Sequence, residues 1–161
     1  PEDFLGSLRK NLLHVFTLTH YALPHLEKAK GSIINIGSKV AETGQGGTSG
    51  YAASKGAVNA LTREWALDLS TKGIRVNAVI PAEVMTPLYE KWLGTLKDPQ
   101  ATLDSIHANI PLDNRMTTSE EIADAVAFLA SERSSHTTGQ IFHPDGGYVH
   151  FDRAFGKIKV D

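Results

Sequence analysis

Residues 31–38 read Gly31-Ser32-Ile33-Ile34-Asn35-Ile36-Gly37-Ser38, and residues 74–81 read Ile74-Arg75-Val76-Asn77-Ala78-Val79-Ile80-Pro81. Each is a short apolar run rich in β-branched residues and closed by glycine or proline, the pattern of a buried strand. Between them lie a polar, glycine-rich loop (38–50) and a helical segment (51–70). That helix carries Ala57, Val58, Leu61, Trp65, Ala66 and Leu69 on its apolar positions, with Gly73 as its C-cap. A strand, one crossover helix and a second strand make a βαβ unit, whose strands must pair in parallel.

The pattern extends outward from this unit. Residues 3–26 read as a helix with Asp3 as N-cap, closed by Pro24 and Gly31. Its apolar positions are Phe4, Leu5, Leu8, Leu12, Val15, Phe16 and Leu23. Residues 81–118 have mixed character and room for one or two short helices. Thr118-Ser119-Glu120-Glu121 is a capping-box signature opening a helix through Leu129. Residues 139–142 form a last short strand, and Asp145-Gly146-Gly147 turns the chain into its tail. The order α-β-α-β-α-β predicts an α/β fold, a doubly wound parallel sheet with helices on its faces.

The chain has 161 residues, 41% hydrophobic and 21% charged, with a net charge of −2. That is an ordinary globular composition. With no basic excess there is no electrostatic footprint for nucleic acid or an anionic membrane. Cysteine is absent, which excludes disulfides, thiolate metal sites and a cysteine nucleophile. The seven histidines show no compact ligand spacing, so no metal is expected. No apolar run reaches the length of a membrane-spanning helix, and a cytoplasmic location is expected.

In a parallel α/β sheet, ligands bind beyond the carboxyl ends of the strands. Ser38 follows the first strand, and Tyr51 and Lys55 open the next helix at i and i+4, one turn apart on one face. A lysine there lowers the phenol's pKa from about 10 toward working pH, suiting Tyr51 to proton transfer. Taken singly, a Tyr-x-x-x-Lys pair or a serine after a strand is ordinary; the ordered combination is not. The loop glycines Gly44, Gly46, Gly47 and Gly50 do not form a dinucleotide fingerprint, because Ser49 stands where the third glycine belongs.

Asn11, Ser38, Tyr51 and Lys55 resemble the catalytic residues of the short-chain dehydrogenase/reductases. Asn11 precedes Ser38 by 27 residues and Ser38 precedes Tyr51 by 13, spacings similar to that family's. The resemblance implies a Rossmann-like sheet and a nicotinamide cofactor, NAD or NADP. It implies Tyr51 as acid/base, Ser38 as the group polarising the substrate oxygen, and Lys55 on the nicotinamide ribose. Asn11 would support a water-linked proton relay from Lys55. Pro81-Ala82-Glu83-Val84-Met85-Thr86 is similar to the family's Pro-Gly-x-x-x-Thr pattern. The Val84 backbone and Thr86 would then meet the nicotinamide carboxamide, with Pro81 and Ala82 in the same cofactor-binding turn. Ala82 replaces the usual glycine, so a different loop geometry is expected, with Glu83 aimed into the pocket.

Within that family the segments around Gln45, Glu83 and the tail resemble bacterial sugar dehydrogenases, L-fucose dehydrogenases in particular. The resemblance implies oxidation of an aldose at its anomeric hydroxyl to a lactone. Residues 87–118 would form a substrate lid carrying Tyr89, Trp92, Asn114 and Arg115. Ser38, Glu42, Gln45, Glu83, Trp92 and Arg115 are the candidate sugar contacts. It also implies a homotetramer, with the helix 51–70 in an interface. Phe151, Arg153 and Phe155 of the tail (151–161) are expected to pack across a subunit interface and help close a neighbouring active site. The rival readings are a 3-oxoacyl-thioester (acyl-carrier-protein) reductase of the same superfamily and an inactive assembly partner. The chain opens without methionine, only three strands are legible, and no glycine-rich pyrophosphate turn is found. Residues 1–161 are therefore expected to be the C-terminal portion of one larger domain.

Overall fold

The computed structural model describes residues 1–152. Three strands, β1 (Ser32–Ile36), β2 (Arg75–Val79) and β3 (Ile141–Phe142), form one parallel sheet in the order β1-β2-β3. β1 and β2 pair in register from Ser32 opposite Arg75 to Ile36 opposite Val79, so both strands end level with each other. Alternate residues project to opposite faces. Ile33 and Val76 meet Leu23, Leu26, Trp65, Ala66, Leu69 and Ile74 on one face. Ile34 and Val79 meet Ile122, Ala125, Val126 and Leu129 on the other. The expected helix–sheet–helix layering is therefore observed.

The helices are α1 (Glu2–Leu8), α2 (His14–Ala29), α3 (Ser49–Asp68), α4 (Pro87–Leu93), α5 (Pro99–His107) and α6 (Ser119–Ala130). Five expected boundaries are corrected. Asp3 does not cap the first helix; it lies inside it, where an acidic side chain still favours the N-terminal dipole. Pro24 does not end α2, which continues to Ala29 and closes at Lys30 in the left-handed conformation. Pro24 and His20 are both exposed, so water can meet the carbonyl left without a donor. α3 begins at Ser49, two residues before Tyr51, and Gly73 caps the short 3-10 turn Ser70–Lys72 that follows it. β3 is limited to two residues because Gly139 turns at φ 72° and Gln140 N–H donates to the Asn77 side chain.

α1 and α2 run on through a π-helical turn, Arg9–Leu13, that contains Asn11. Such turns are rare and shift a side chain's direction relative to the regular helix. The capping box of α6 forms as expected: the Thr118 hydroxyl accepts from Glu121 N–H, and the Glu121 carboxylate accepts from Thr118 N–H. The segment 81–118 holds two short helices, α4 and α5, each started by a side-chain cap and a proline. Phe151 lies within the described residues; Arg153 and Phe155 lie outside them.

Asn77 is fully buried between β2 and the approach to β3. Its amide donates to Thr137 O at 2.8 Å, and its carbonyl oxygen accepts from Gln140 N–H at 3.0 Å. Asn77→Ala strands two buried backbone groups and is expected to lower stability by about 2 kcal/mol. Denaturant unfolding of the two proteins measures this difference.

Candidate active site

Beyond the level ends of β1 and β2 lies an open cavity of about 790 Å³. Ser38 lines it from the loop after β1, Tyr51 from the first turn of α3, and Ala82, Glu83 and Thr86 from the turn after β2. Tyr89 and Trp92 of α4 and Ile106 of α5 supply the outer wall. The expected position beyond the strand ends is thus observed, and the cavity unites Ser38 and Tyr51.

The docking of α3 sets this arrangement. Asn35 in β1 donates to the Thr62 hydroxyl at 2.9 Å, and Thr62 donates to Val58 O at 2.8 Å, both buried. Nearer the site, Lys55 Nζ donates to Ile36 O, the last carbonyl of β1, at 2.9 Å. The ammonium sits 5.6 Å from the centre of the Tyr51 ring. Burial of Lys55 disfavours its charged form and lowers its pKa. An ammonium has three donors, and one is committed to Ile36. The remaining donors beside Tyr51 fit the pair of ribose hydroxyls of a nicotinamide nucleotide.

Ser38 caps the 3-10 turn Lys39–Ala41 through its side-chain oxygen, which accepts from Val40 N–H at 3.5 Å. Its hydroxyl proton remains available for a substrate oxygen. Asn11 donates to the Ser7 carbonyl at 3.0 Å and to its hydroxyl at 3.3 Å. Pro81 accepts from Lys39 N–H through its carbonyl at 3.1 Å, and Val84 makes a backbone bridge with Thr117. The Thr86 hydroxyl caps α4 by accepting from Tyr89 N–H at 3.2 Å. Ala82 does not adopt the left-handed backbone for which glycine would be needed; among the described residues only Lys30, Asp113 and Asn114 do so without being glycine. The added methyl therefore changes the cavity wall and leaves the backbone unstrained.

Two expected sugar contacts lie elsewhere. Arg115 lines a different hollow, beside Pro111, Thr117 and Gly147. There it holds Glu121 through two hydrogen bonds, at 2.7 and 2.9 Å, and the Glu121 carboxyl is held down to about 2 by that guanidinium and by Thr118. Glu42 faces Asn59, at 3.2 Å, and His143, at 3.0 Å, and is not part of the cavity wall. Glu42 is engaged by His143, 101 residues further on, and Arg115 by Glu121, 6 residues further on. Gln45, Trp92 and Glu83 do line the cavity.

Glu83 is buried and takes two partners absent from the sequence reading in that role. Its Oε1 pairs with Lys39, and its Oε2 accepts from the Tyr89 hydroxyl at 2.8 Å. Lys39 also lies 4.4 Å from the centre of the Tyr148 ring. Lys39 was the residue missed; its signal in the sequence was a lone cation placed directly after Ser38 at a strand end.

A family model described as enoyl-(acyl carrier protein) reductase matches residues 1–149. An L-fucose dehydrogenase of Bos taurus is 40% identical over 156 residues, covering 97% of this chain and 57% of that protein. The 3-oxoacyl-[acyl-carrier-protein] reductase FabG of Thermotoga maritima is 40% identical over 149 residues, covering 92% and 58%. The crystal structure of Cj0485 dehydrogenase superposes with a TM-score of 0.93 at 51% identity, covering 99% of this chain and 60% of that one. The chain thus spans a little over half the length of the curated relatives it matches.

Burial pushes the Tyr89 phenol far above its ordinary value of 10, and the Glu83 carboxylate it donates to adds to the rise. Tyr89 is therefore expected to stay protonated at pH values where an unperturbed tyrosine ionises, and Glu83→Gln is expected to bring its ionisation down. Alkaline difference spectroscopy of the unaltered protein, Tyr89→Phe and Glu83→Gln reads this directly.

Proposed function

Because the chain belongs to the short-chain dehydrogenase/reductase family, an oxidoreductase family that uses NAD or NADP, we propose that its protein oxidises the anomeric C1 hydroxyl of an aldose, L-fucose or a near relative, to a lactone. The observation carrying this reading is the common cavity of Ser38 and Tyr51 with Lys55 beside the phenol, walled by Trp92, Gln45 and a buried ion pair. Apolar aromatic surface beside fixed charges suits a pyranose, which has C–H faces and a rim of hydroxyls.

The nicotinamide supplies the acceptor for the hydride that leaves C1. Ser38 donates its hydroxyl proton to the substrate oxygen and holds it toward Tyr51. Tyr51, as phenolate, takes the hydroxyl proton, and the electron pair of that O–H bond becomes the second C–O bond of the lactone. The Lys55 ammonium stabilises the phenolate by charge and directs its uncommitted donors to the cofactor's ribose. Asn11 belongs to the relay that carries the proton onward, and its place in the π-helical turn supports a functional role. Pro81, Ala82, Val84 and Thr86 form the wall for the carboxamide. Residues 87–118 serve as the lid.

Assembly as a homotetramer in the cytoplasm belongs to the same reading. The exposed apolar side chains Phe4, Leu5, Leu13 and Phe16 on the α1–α2 rod support a subunit contact there. Among the described residues no helix is long and apolar enough to cross a membrane.

The rival reading, reduction of a 3-oxoacyl thioester, is favoured by the equal identity to the Thermotoga reductase. Following absorbance at 340 nm with L-fucose and NAD or NADP, and separately with acetoacetyl thioester and the reduced cofactors, separates the two. Turnover of the sugar is expected; reduction of the thioester alone overturns the aldose reading. Tyr51→Phe is expected to lower kcat by roughly 10²–10⁴-fold, the usual range for a positioned acid/base. Undiminished turnover in that variant overturns the assignment of Tyr51.

A further inference from the structure

The Lys39–Glu83 pair has no part in the proton or hydride transfer, yet both residues line the cavity with Ser38 and Tyr51. Their side chains are only 13% and 9% exposed. Burying two opposite charges gains little stability, since desolvation offsets their attraction, and an apolar pair of similar size would serve a purely structural wall as well. Here the two come from separate turns, after β1 and after β2, and each has bonding capacity beyond the pair. Lys39 directs one donor to Glu83 and another to the Tyr148 hydroxyl at 3.3 Å, which leaves a third. Each Glu83 oxygen receives one hydrogen bond, and each has a second lone-pair site.

The surrounding contacts fix the pair in place. Tyr89 holds Glu83 Oε2 at 2.8 Å, and the Tyr148 ring lies under the Lys39 ammonium. Tyr89 meets Trp92 edge-to-face, with centroids 5.1 Å apart and planes at 79°, so the indole is held as a wall of the same cavity. A fixed acceptor next to a fixed donor is complementary to two adjacent hydroxyls, one donating and one accepting. An acyl chain offers no such partner.

We propose that Lys39, Glu83 and Tyr89 form the subsite that reads the non-reacting hydroxyls of the substrate. The Glu83 carboxylate accepts from one hydroxyl of a vicinal diol, the Lys39 ammonium donates to its neighbour, and Tyr89 holds the carboxylate in line. Trp92 faces the C–H surface of the ring. These residues set specificity and do not touch the reacting bond. This subsite rests on the aldose reading above.

The test compares kcat/KM for L-fucose with that for each of its monodeoxy analogues in the full protein. A site built to bond a hydroxyl rejects the analogue lacking it, because its buried polar groups are left unpaired. The unaltered protein is expected to prefer L-fucose over at least one analogue other than the 1-deoxy sugar by roughly 10²-fold or more. Lys39→Met combined with Glu83→Gln removes both charges together and leaves neither buried alone. In that variant the preference is expected to fall below about tenfold. Its thermal midpoint, measured alongside, shows that the fold is retained. A preference of unchanged size in the folded double variant overturns the subsite and leaves the aldose reading standing. So does an unaltered protein that oxidises L-fucose and every analogue other than the 1-deoxy sugar equally, a result that needs no variant to fold. An unaltered protein that turns over no aldose overturns both.

Discussion

The placement of α3 on the end of β1 is the constraint on which the site depends. One buried hydrogen bond, from Asn35 to the Thr62 hydroxyl, gives the helix one register against the strand, and Thr62 is itself held by donating to Val58 O within α3. Apolar packing alone is non-directional and would tolerate a small slide. The polar link does not, since a shift leaves a buried amide unpaired. Lys55 completes the anchorage by binding the carbonyl of Ile36. The same ammonium that fastens the helix thus stands beside Tyr51, and a cation placed for architecture is also placed for chemistry.

The level ends of β1 and β2 supply the second requirement. Because Ile36 lies opposite Val79, the turns that follow both strands open at the same height. Gly37 crosses at this point with Ile80 packed against it: a Cβ built there would lie 2.1 Å from Ile80 Cδ1. The close approach brings the turn carrying Ser38 and Lys39 next to the turn carrying Ala82 and Glu83, and Lys39 N–H bonds the Pro81 carbonyl across the gap. The ion pair and the hydroxyl-bearing serine are neighbours for that reason.

Much of this was legible in the chain. The β-branched runs, the helical spacing of Val58, Leu61, Trp65 and Leu69, and the capping box at Thr118 are local signals, and the structure carries each of them. Tyr51 and Lys55 one turn apart follow from helix geometry alone. The misreadings also have local causes. Pro24 is a strong breaker in isolation, but α2 lets its exposed side absorb the missing hydrogen bond. Asp3 has the residue type of a helix cap, but the helix begins one residue earlier and takes it inside.

The sequence by itself determined the element order, the parallel pairing and the placing of Ser38 and Tyr51 beyond the strand ends, because these follow from periodicity, chain connectivity and spacing. Only the tertiary structure decided which partner each of the polar side chains takes. Glu42, Glu83 and Arg115 looked alike as polar residues of loops near the site. Folding paired Glu42 with His143, Arg115 with Glu121 and Glu83 with Lys39. Of the three pairs, one lines the cavity. The Glu42–His143 hydrogen bond and the Glu83–Lys39 ion pair form across separations of 101 and 44 residues, which no local pattern encodes, whereas Arg115 and Glu121 are 6 residues apart.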